Sequence, residues 1–353
     1  MNGVESASAD APVRLRELTT LRLGGPCGEV AVAESEDALI AAVAGADACA
    51  TPVLVLSGGS NVVVADAGFD GRVVLVRTRG ISTGVCNDSE LVEVAAGEPW
   101  PDFVAQMVAS GRSGVEALAG IPGCVGSTPI QNVGAYGQEV ADTIVGVRVW
   151  DRAAGAVVEL DSASCRFSYR SSTFKVNPDR YVVLSVRFRL PLQSASAAIR
   201  YPELAIRLGV GLDQPADLAD VSRTVLELRR GKGMVLDAED HDTWSAGSFF
   251  TNPILTPDEA ASLAPAAPRF EAGGGRVKTS AAWLIDQAGF SKGYGLRPDA
   301  TVTISTKHTL ALTNRGGAST EELLELARAV RTGVRAKFGV TLMPEPVLVG
   351  CAL

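Results

Sequence analysis

Three side chains in distinctive local settings could do chemistry: Arg170, Ser248 and Glu345. Arg170 closes the run Arg166-Phe167-Ser168-Tyr169-Arg170, which puts a guanidinium beside a phenol. A guanidinium can clasp a carboxylate or phosphate through two parallel hydrogen bonds. Ser248 lies in Gly247-Ser248-Phe249-Phe250-Thr251-Asn252-Pro253, a hydroxyl in a turn backed by two phenylalanines. His241 is seven residues away and no G-x-S-x-G elbow surrounds the serine. Proton donation therefore suits Ser248 better than nucleophilic attack. Glu345 is pinned between Pro344 and Pro346, just ahead of the strand-like Val347 to Val349, and could serve as an acid. Each segment alone also fits a plainer reading: a surface arginine beside a core tyrosine, a serine in an ordinary turn, a charge at a sheet edge.

Two glycine-rich segments could hold a ligand by its backbone contacts. Ser57-Gly58-Gly59-Ser60-Asn61 directly follows a short apolar strand, Val53 to Leu56. Such a turn can aim several amides at one anion, a pyrophosphate for example, or simply reverse the chain. The stretch from Gly120 to Gly137 is less ordinary, with five glycines and two prolines in eighteen residues. Ordering so many glycines is entropically costly, and a loop lying along a flat ligand would give a return for it. The chain contains neither G-x-G-x-x-G nor a P-loop, so a Rossmann site is not indicated.

The elements that must carry these segments read as α+β. Ser35 to Cys49 is a helix capped by Ser35, with acidic residues in its first turn. Short strands are expected at Val62 to Val64, Arg72 to Arg77, Leu91 to Ala95, Val145 to Trp150, Ala156 to Leu160 and Tyr181 to Leu190. Pro101 to Ser110 reads as a short helix with proline in its first turn. Gln193 to Ala198 is small and polar, the best linker by composition. Helices are expected over Asp217 to Arg230, Ser280 to Ala288 and Thr320 to Phe338. Ala260 to Gly275, rich in alanine, proline and glycine, reads as a loop.

Composition removes several classes. The 353 residues can form two or three domains. Two histidines cannot build a three-histidine metal site, and six cysteines without a C-x-x-C pair make a metal knuckle unexpected. The natural reading is six reduced thiols in the cytosol, and residues 1–12 read as a frayed terminus rather than a leader. With a net charge of −8, no run of five basic residues and 5% aromatics, nucleic acid is a poor partner. No apolar run reaches the length of a membrane span.

In chain order, S-G-G-S-N, G-I-P-G-x-x-G-x-x-P-I-Q-N-x-G-A-Y-G, R-F-x-Y-R, G-S-F-F-x-N-P and P-E-P resemble the UDP-N-acetylenolpyruvoylglucosamine reductase family. The resemblance runs from about Leu18 to the C-terminus. It implies an FAD-binding module of the vanillyl-alcohol-oxidase (PCMH) type in two subdomains, followed by an α/β substrate-binding domain. The expected bounds are 15–75, joined by a returning strand at 346–353, then 76–195, then 205–345. FAD would be held noncovalently. Ser57, Gly58, Gly59, Ser60 and Asn61 would take its pyrophosphate. Gly120, Ile121, Pro122, Gly123, Gly126, Ser127, Gln131, Asn132, Gly134 and Ala135 would line the rest. NADPH and UDP-N-acetylglucosamine enolpyruvate would occupy one space alternately.

The implied chemistry is transfer of a hydride from flavin N5 to the vinyl carbon, giving UDP-N-acetylmuramate for peptidoglycan. Ser248 matches the family's proton donor, and Arg170 and Glu345 match the pair that stabilises the enolate-like species. Tyr136, Tyr169, Tyr201, Lys232 and Asn252 match substrate contacts, Tyr201 being the covering tyrosine of one subclass. Lys307 and His308 stand where some members carry polar amides and receive no role, and the 260–275 loop matches no motif. Two alternatives accompany this reading. One is an oxidase of the same flavin fold, with Cys124 but no histidine in the glycine stretch to tether a flavin. The other is an inactive UDP-sugar binder, which would lack one of the three catalytic residues.

Overall fold

The computed structural model describes residues 13–86 and 88–353; the expected frayed terminus lies outside them. Near the N-terminus, β1 (Cys27–Ala33), β4 (Phe69–Val76) and β2 (Val53–Leu56) form a parallel sheet in the order β1-β4-β2. Helix α1 (Glu36–Ala48) begins at Ser35, whose hydroxyl accepts the Ala38 N–H at 3.2 Å. Its Leu39, Val43 and Ala46 are buried, so the helix closes one face of the sheet region.

A second, antiparallel sheet has the order β10-β9-β11-β6-β5. Its strands are β5 (Ile81–Cys86), β6 (Ser89–Ala95), β9 (Ile144–Asp151), β10 (Ala156–Asp161) and β11 (Tyr181–Pro191). Alternate residues of β6 are buried, the period expected of a strand with one face on a core. Helix α2 (Trp100–Ala109) lies against this sheet, with the rings of Trp100 and Phe103 6.1 and 5.2 Å from that of Phe188. Short α3 (Ser162–Cys165) and α4 (Thr173–Val176) lie between β10 and β11. The small hairpin of β7 (Gly134–Ala135) and β8 (Gln138–Glu139) ends the glycine stretch.

Beyond residue 200 come α5 (Pro202–Leu208) and α6 (Leu218–Gly231), which pack toward the first core. A separate core gathers around α8 (Ala281–Gln287) and α9 (Thr320–Phe338). Its strands are all antiparallel: β12 (Ile254–Leu255), β14 (Val277–Thr279) and β13 (Arg269–Glu271) in one sheet, β15 (Val302–Ile304) and β16 (Leu312–Asn314) in another. The expected loop at 260–275 is partly regular. Helix α7 (Pro257–Ser262) is fixed by a capping box between Thr256 and Glu259, and β13 pairs with β14. Ala260, Leu263 and Ala267 are buried in the second core, which a spacing without strong periodicity concealed. Strands β1 and β5 and helix α5 are further additions to the expected elements.

The chain then returns. β17 (Val347–Val349) pairs in parallel with β3 (Val62–Val64). Beside that pair, Asp66 accepts the N–H groups of Thr320 and Glu321 at 2.8 and 3.0 Å, and Thr320 Oγ1 donates to the Val64 carbonyl at 2.6 Å. A carboxylate at a helix N-terminus satisfies orphan donors and meets the positive end of the dipole. Asp66→Ala is therefore expected to lower stability by about 1 kcal/mol, the usual worth of a cap. Paired denaturant melts of the two proteins measure it.

Candidate active site

The tip that carries Arg170 is a miniature hairpin. Ser168 and Ser171 exchange both backbone hydrogen bonds at 3.0 Å, so Tyr169 and Arg170 project as its two-residue loop. Arg170 has φ 54°, in the left-handed region that a bulky residue enters only when its surroundings hold it there. Its terminal nitrogens donate to the carbonyls of Gly134 (2.8 Å) and Asn132 (3.4 Å) in the glycine stretch. Asn132 and Tyr136 have φ of 47° and 50°. Two of these residues, Arg170 and Asn132, meet directly.

Glu345 meets Arg170 from the C-terminal end of the chain. Arg170 Nε lies 3.1 Å from Glu345 Oε1, yet its buried N–H is not aligned for a hydrogen bond to any described group. Gln131 Nε2 donates to the same Oε1 at 3.3 Å, while Gln131 Oε1 accepts from Asn61 Nδ2 at 2.8 Å. Lys175, on α4, reaches the Glu345 backbone carbonyl at 3.5 Å. Burial pushes the Glu345 carboxyl above its ordinary value, against the pull of Arg170 and Lys175. Burial also lowers the Lys175 ammonium.

Ser248 is delivered by a stretch pinned on both sides. Phe249 N–H donates to the Leu310 carbonyl (2.7 Å), and the Phe249 carbonyl accepts the Glu345 N–H (2.8 Å). Thr251 N–H donates to Met343 at 3.1 Å. Phe249 and Phe250 are buried and anchor the stretch in the second core. Ser248 and Glu345 therefore sit on neighbouring backbones. Tyr169 ties the groups together: its hydroxyl accepts the Asn252 N–H at 3.3 Å, and Asn252 Oδ1 accepts the Ala281 N–H at the start of α8. Lys278 Nζ stands 4.7 Å from the Tyr169 ring.

A cradle adjoins this wall. The Ser57–Asn61 turn and the glycine stretch meet backbone to backbone, and a Cβ on Gly58 would lie 2.6 Å from Gly123 Cα. Ser60 Oγ donates to the Pro122 carbonyl at 3.1 Å, and Arg77 donates to the Ser57 carbonyl at 2.9 Å. Not every residue of the stretch faces the cradle. A Cβ on Gly120 would strike Leu226 of α6 at 2.7 Å, so that glycine makes room for the helix. The buried Asn132 side chain is committed to Glu139, Ser168 and Ala141, and Ser127 Oγ donates to the Cys124 carbonyl. Asn132 is thus a staple of the loop, with Arg170 on its carbonyl. Pro122 and Gly126 lie in this wall, the latter with its N–H on the Ala96 carbonyl.

A second cluster holds the remaining expected residues. The rings of Tyr136 and Tyr201 meet edge-on at 5.1 Å, and Lys232 Nζ lies 5.5 Å from the Tyr136 ring. Lys232 is paired with Glu203 at 2.5 Å. Two members escaped the sequence reading. Burial, with Lys232, Lys292 and Arg229 facing it, pushes His308 down to about 4. Its Nδ1 accepts the Leu310 N–H, so the neutral ring carries its proton on Nε2. Burial brings Arg229 down to about 10, and its Nε has no partner among the described residues. Several cations and an imidazole N–H around two tyrosines suit an anionic ligand with a flat group. Two residues before His308, the Thr306 N–H donates to Asp242 at 2.8 Å, and Asp242 also accepts from Arg315 at 3.0 Å.

Known proteins are similar to this chain. Residues 239–349 match the family model described as UDP-N-acetylenolpyruvoylglucosamine reductase, C-terminal domain. Residues 29–161 match that of an FAD binding domain. A UDP-N-acetylenolpyruvoylglucosamine reductase of Streptomyces coelicolor is 56% identical over 355 aligned positions, covering 98% of this chain and 90% of that one. Its namesake from Mycobacterium avium is 46% identical, covering 98% and 97%. The crystal structure of UDP-N-acetylenolpyruvylglucosamine reductase from Thermus caldophilus is similar with a TM-score of 0.65 at 25% identity, covering 96% of this chain and 98% of that one.

Proposed function

The chain belongs to the UDP-N-acetylenolpyruvoylglucosamine reductase family, and from that premise we propose that Arg170, Ser248 and Glu345 carry out its chemistry. The reaction is the NADPH-dependent, FAD-mediated reduction of UDP-N-acetylglucosamine enolpyruvate to UDP-N-acetylmuramate. The fold is the FAD-binding module followed by the family's own C-terminal domain. We divide it into flavin subdomains at 15–75 with 346–353 and at 76–195, and a substrate domain at 205–345. The pairing of β17 with β3 supports the first of these. We place the enzyme in the cytoplasm, supported by six free cysteines. Among the described residues no helix is long and apolar enough to cross a membrane.

The backbone walls Ser57–Asn61 and Ile121–Ser127 would hold FAD, and Gly58 is what lets them meet, since a Cβ there would lie 2.6 Å from Gly123 Cα. When bound, FAD supplies the hydride that the protein's own side chains cannot. Gly58→Ala alone is expected to weaken flavin retention by roughly 10- to 100-fold, the worth of modest overpacking. Flavin fluorescence released on dilution reads this out.

The observation that carries the residue roles is the buried, unaligned N–H of Arg170 beside Glu345. Such a donor can receive the substrate carboxylate as charge develops on it, in a site where water does not compete. Glu345, pushed toward its neutral form, adds a donor rather than a second negative charge. Ser248 protonates the carbon next to the carboxylate, and Tyr169 and Asn252 orient the enolpyruvyl group. Tyr136, Tyr201 and Lys232, with His308 and Arg229, hold the UDP portion. Because Glu203 already pairs with Lys232, the diphosphate displaces or shares that partner.

The test is an anaerobic absorbance series. The purified protein shows a flavin spectrum, NADPH bleaches it, and the enolpyruvyl sugar restores it. A folded protein that binds the sugar but stays bleached would overturn the reading.

A further inference from the structure

This inference rests on the roles given above to Arg170, Ser248 and Glu345. We propose that Gln131, itself held by Asn61, is a positioning residue that turns Oε1 of Glu345 inward and presents Oε2, bearing the proton, to the substrate.

Gln131 Oε1 accepts from Asn61 Nδ2 at 2.8 Å, which leaves Nε2 as the end that faces Glu345. Nε2 donates to Glu345 Oε1 at 3.3 Å, and Arg170 Nε approaches that same oxygen at 3.1 Å. Among the described residues no hydrogen bond reaches Oε2. The residue's backbone is also fixed, by its N–H on the Phe249 carbonyl, by Lys175 on its own carbonyl and by prolines on either side. A carboxyl protonates on the oxygen that N–H donors do not already occupy, so the hydroxyl belongs on Oε2. The charged and titratable groups facing the carboxyl are Arg170, Lys175 and the Tyr169 phenol. The two cations favour the carboxylate, burial opposes it, and burial prevails.

Asn61 belongs to the Ser57–Asn61 turn, so the hydrogen-bond chain Asn61-Gln131-Glu345 links the cofactor cradle to the acid. Gln131→Met keeps the volume and removes the amide. Rapid mixing separates reduction by NADPH from reoxidation by the enolpyruvyl sugar. The expected result is reoxidation slower by roughly tenfold, a larger loss than any in reduction by NADPH, with substrate KM little altered. The alkaline limb of the reoxidation profile moves to higher pH, because the lost donor favoured the charged carboxylate. Gln131→Glu moves the limb further, by adding a like charge. In a Glu345→Ala background, Gln131→Met has no additional effect on reoxidation.

Equal losses in both half-reactions, an unmoved limb, or additive losses with Glu345→Ala would overturn the positioning role. If Glu345→Ala alone left reoxidation intact, the underlying catalytic reading would fail instead. Should Gln131→Met lose its flavin, thermal melts of the flavin-free proteins carry the test. A carboxyl raised on folding favours the fold below its unfolded value, and that contribution is lost as pH rises through its folded value. The variant raises it further, so its melting deficit is smallest in acid, widens with pH, and disappears with Glu345→Ala. A pH-independent deficit would overturn the proposal.

Discussion

Ser248→Ala leaves reduction by NADPH at its original rate and slows reoxidation by the enolpyruvyl sugar by about 10²- to 10⁴-fold, the range for a positioned general acid. The asymmetry follows from where the hydroxyl sits. Ser248 precedes a stretch whose carbonyls and amides are engaged by Leu310, Met343 and Glu345, and whose two phenylalanines are buried. Removing the hydroxyl of this half-buried serine leaves these supports intact, so flavin binding and stability change little. Only the step that needs a proton at carbon suffers. Stopped-flow absorbance resolves the two half-reactions, and equal slowing of both would reject the assignment.

Arg170→Met is expected to slow the same half-reaction by about 10²- to 10³-fold, as loss of a donor aimed at developing charge does. It should also raise the substrate KM, since in the proposed role the guanidinium meets the carboxylate in the ground state too. A further effect comes through Glu345. Arg170 pulls its carboxyl down against burial, so without Arg170 the carboxyl rises further and stays neutral. The variant therefore loses the cation without stranding a buried anion, and its stability loss should stay below that of breaking a buried ion pair. The loop still loses two hydrogen bonds, from Arg170 to the carbonyls of Asn132 and Gly134. Arg170→Lys restores charge but not the fork, and rescues KM more than rate.

Much of this arrangement was legible in the sequence because the information is local. Helices α6 and α9 follow from periodic apolar residues, and Asp217 and Ser319 cap them through their own side chains. Arg170 and Glu345 stand out through their neighbours, a phenol and two prolines. What the sequence hides is partnership at a distance. Lys175 reaches Glu345 across 170 residues, and Gln131 reaches it across 214. No spacing encodes those contacts; the returning chain creates them. His308 and Arg229 were missed for the same reason, since their common neighbourhood exists only once α6 meets the loop before β16. Gly120 shows the converse: it belongs to the glycine stretch, yet its missing side chain serves helix packing.

The pairing of β17 with β3 sets an order in time. Cys351 Sγ donates to the Val63 carbonyl, a contact spanning 288 residues, and Glu345 lies just before the same strand. During synthesis the β3 edge emerges early and waits, unpaired, until nearly the whole polypeptide has left the ribosome. Closing so large a loop is slow, because its entropic cost precedes the contacts that reward it. The acid thus reaches the site only with the last strand. Chains truncated before residue 345 lack the carboxyl that we propose as the acid, so such premature products are expected to be inert toward the reactive enol ether.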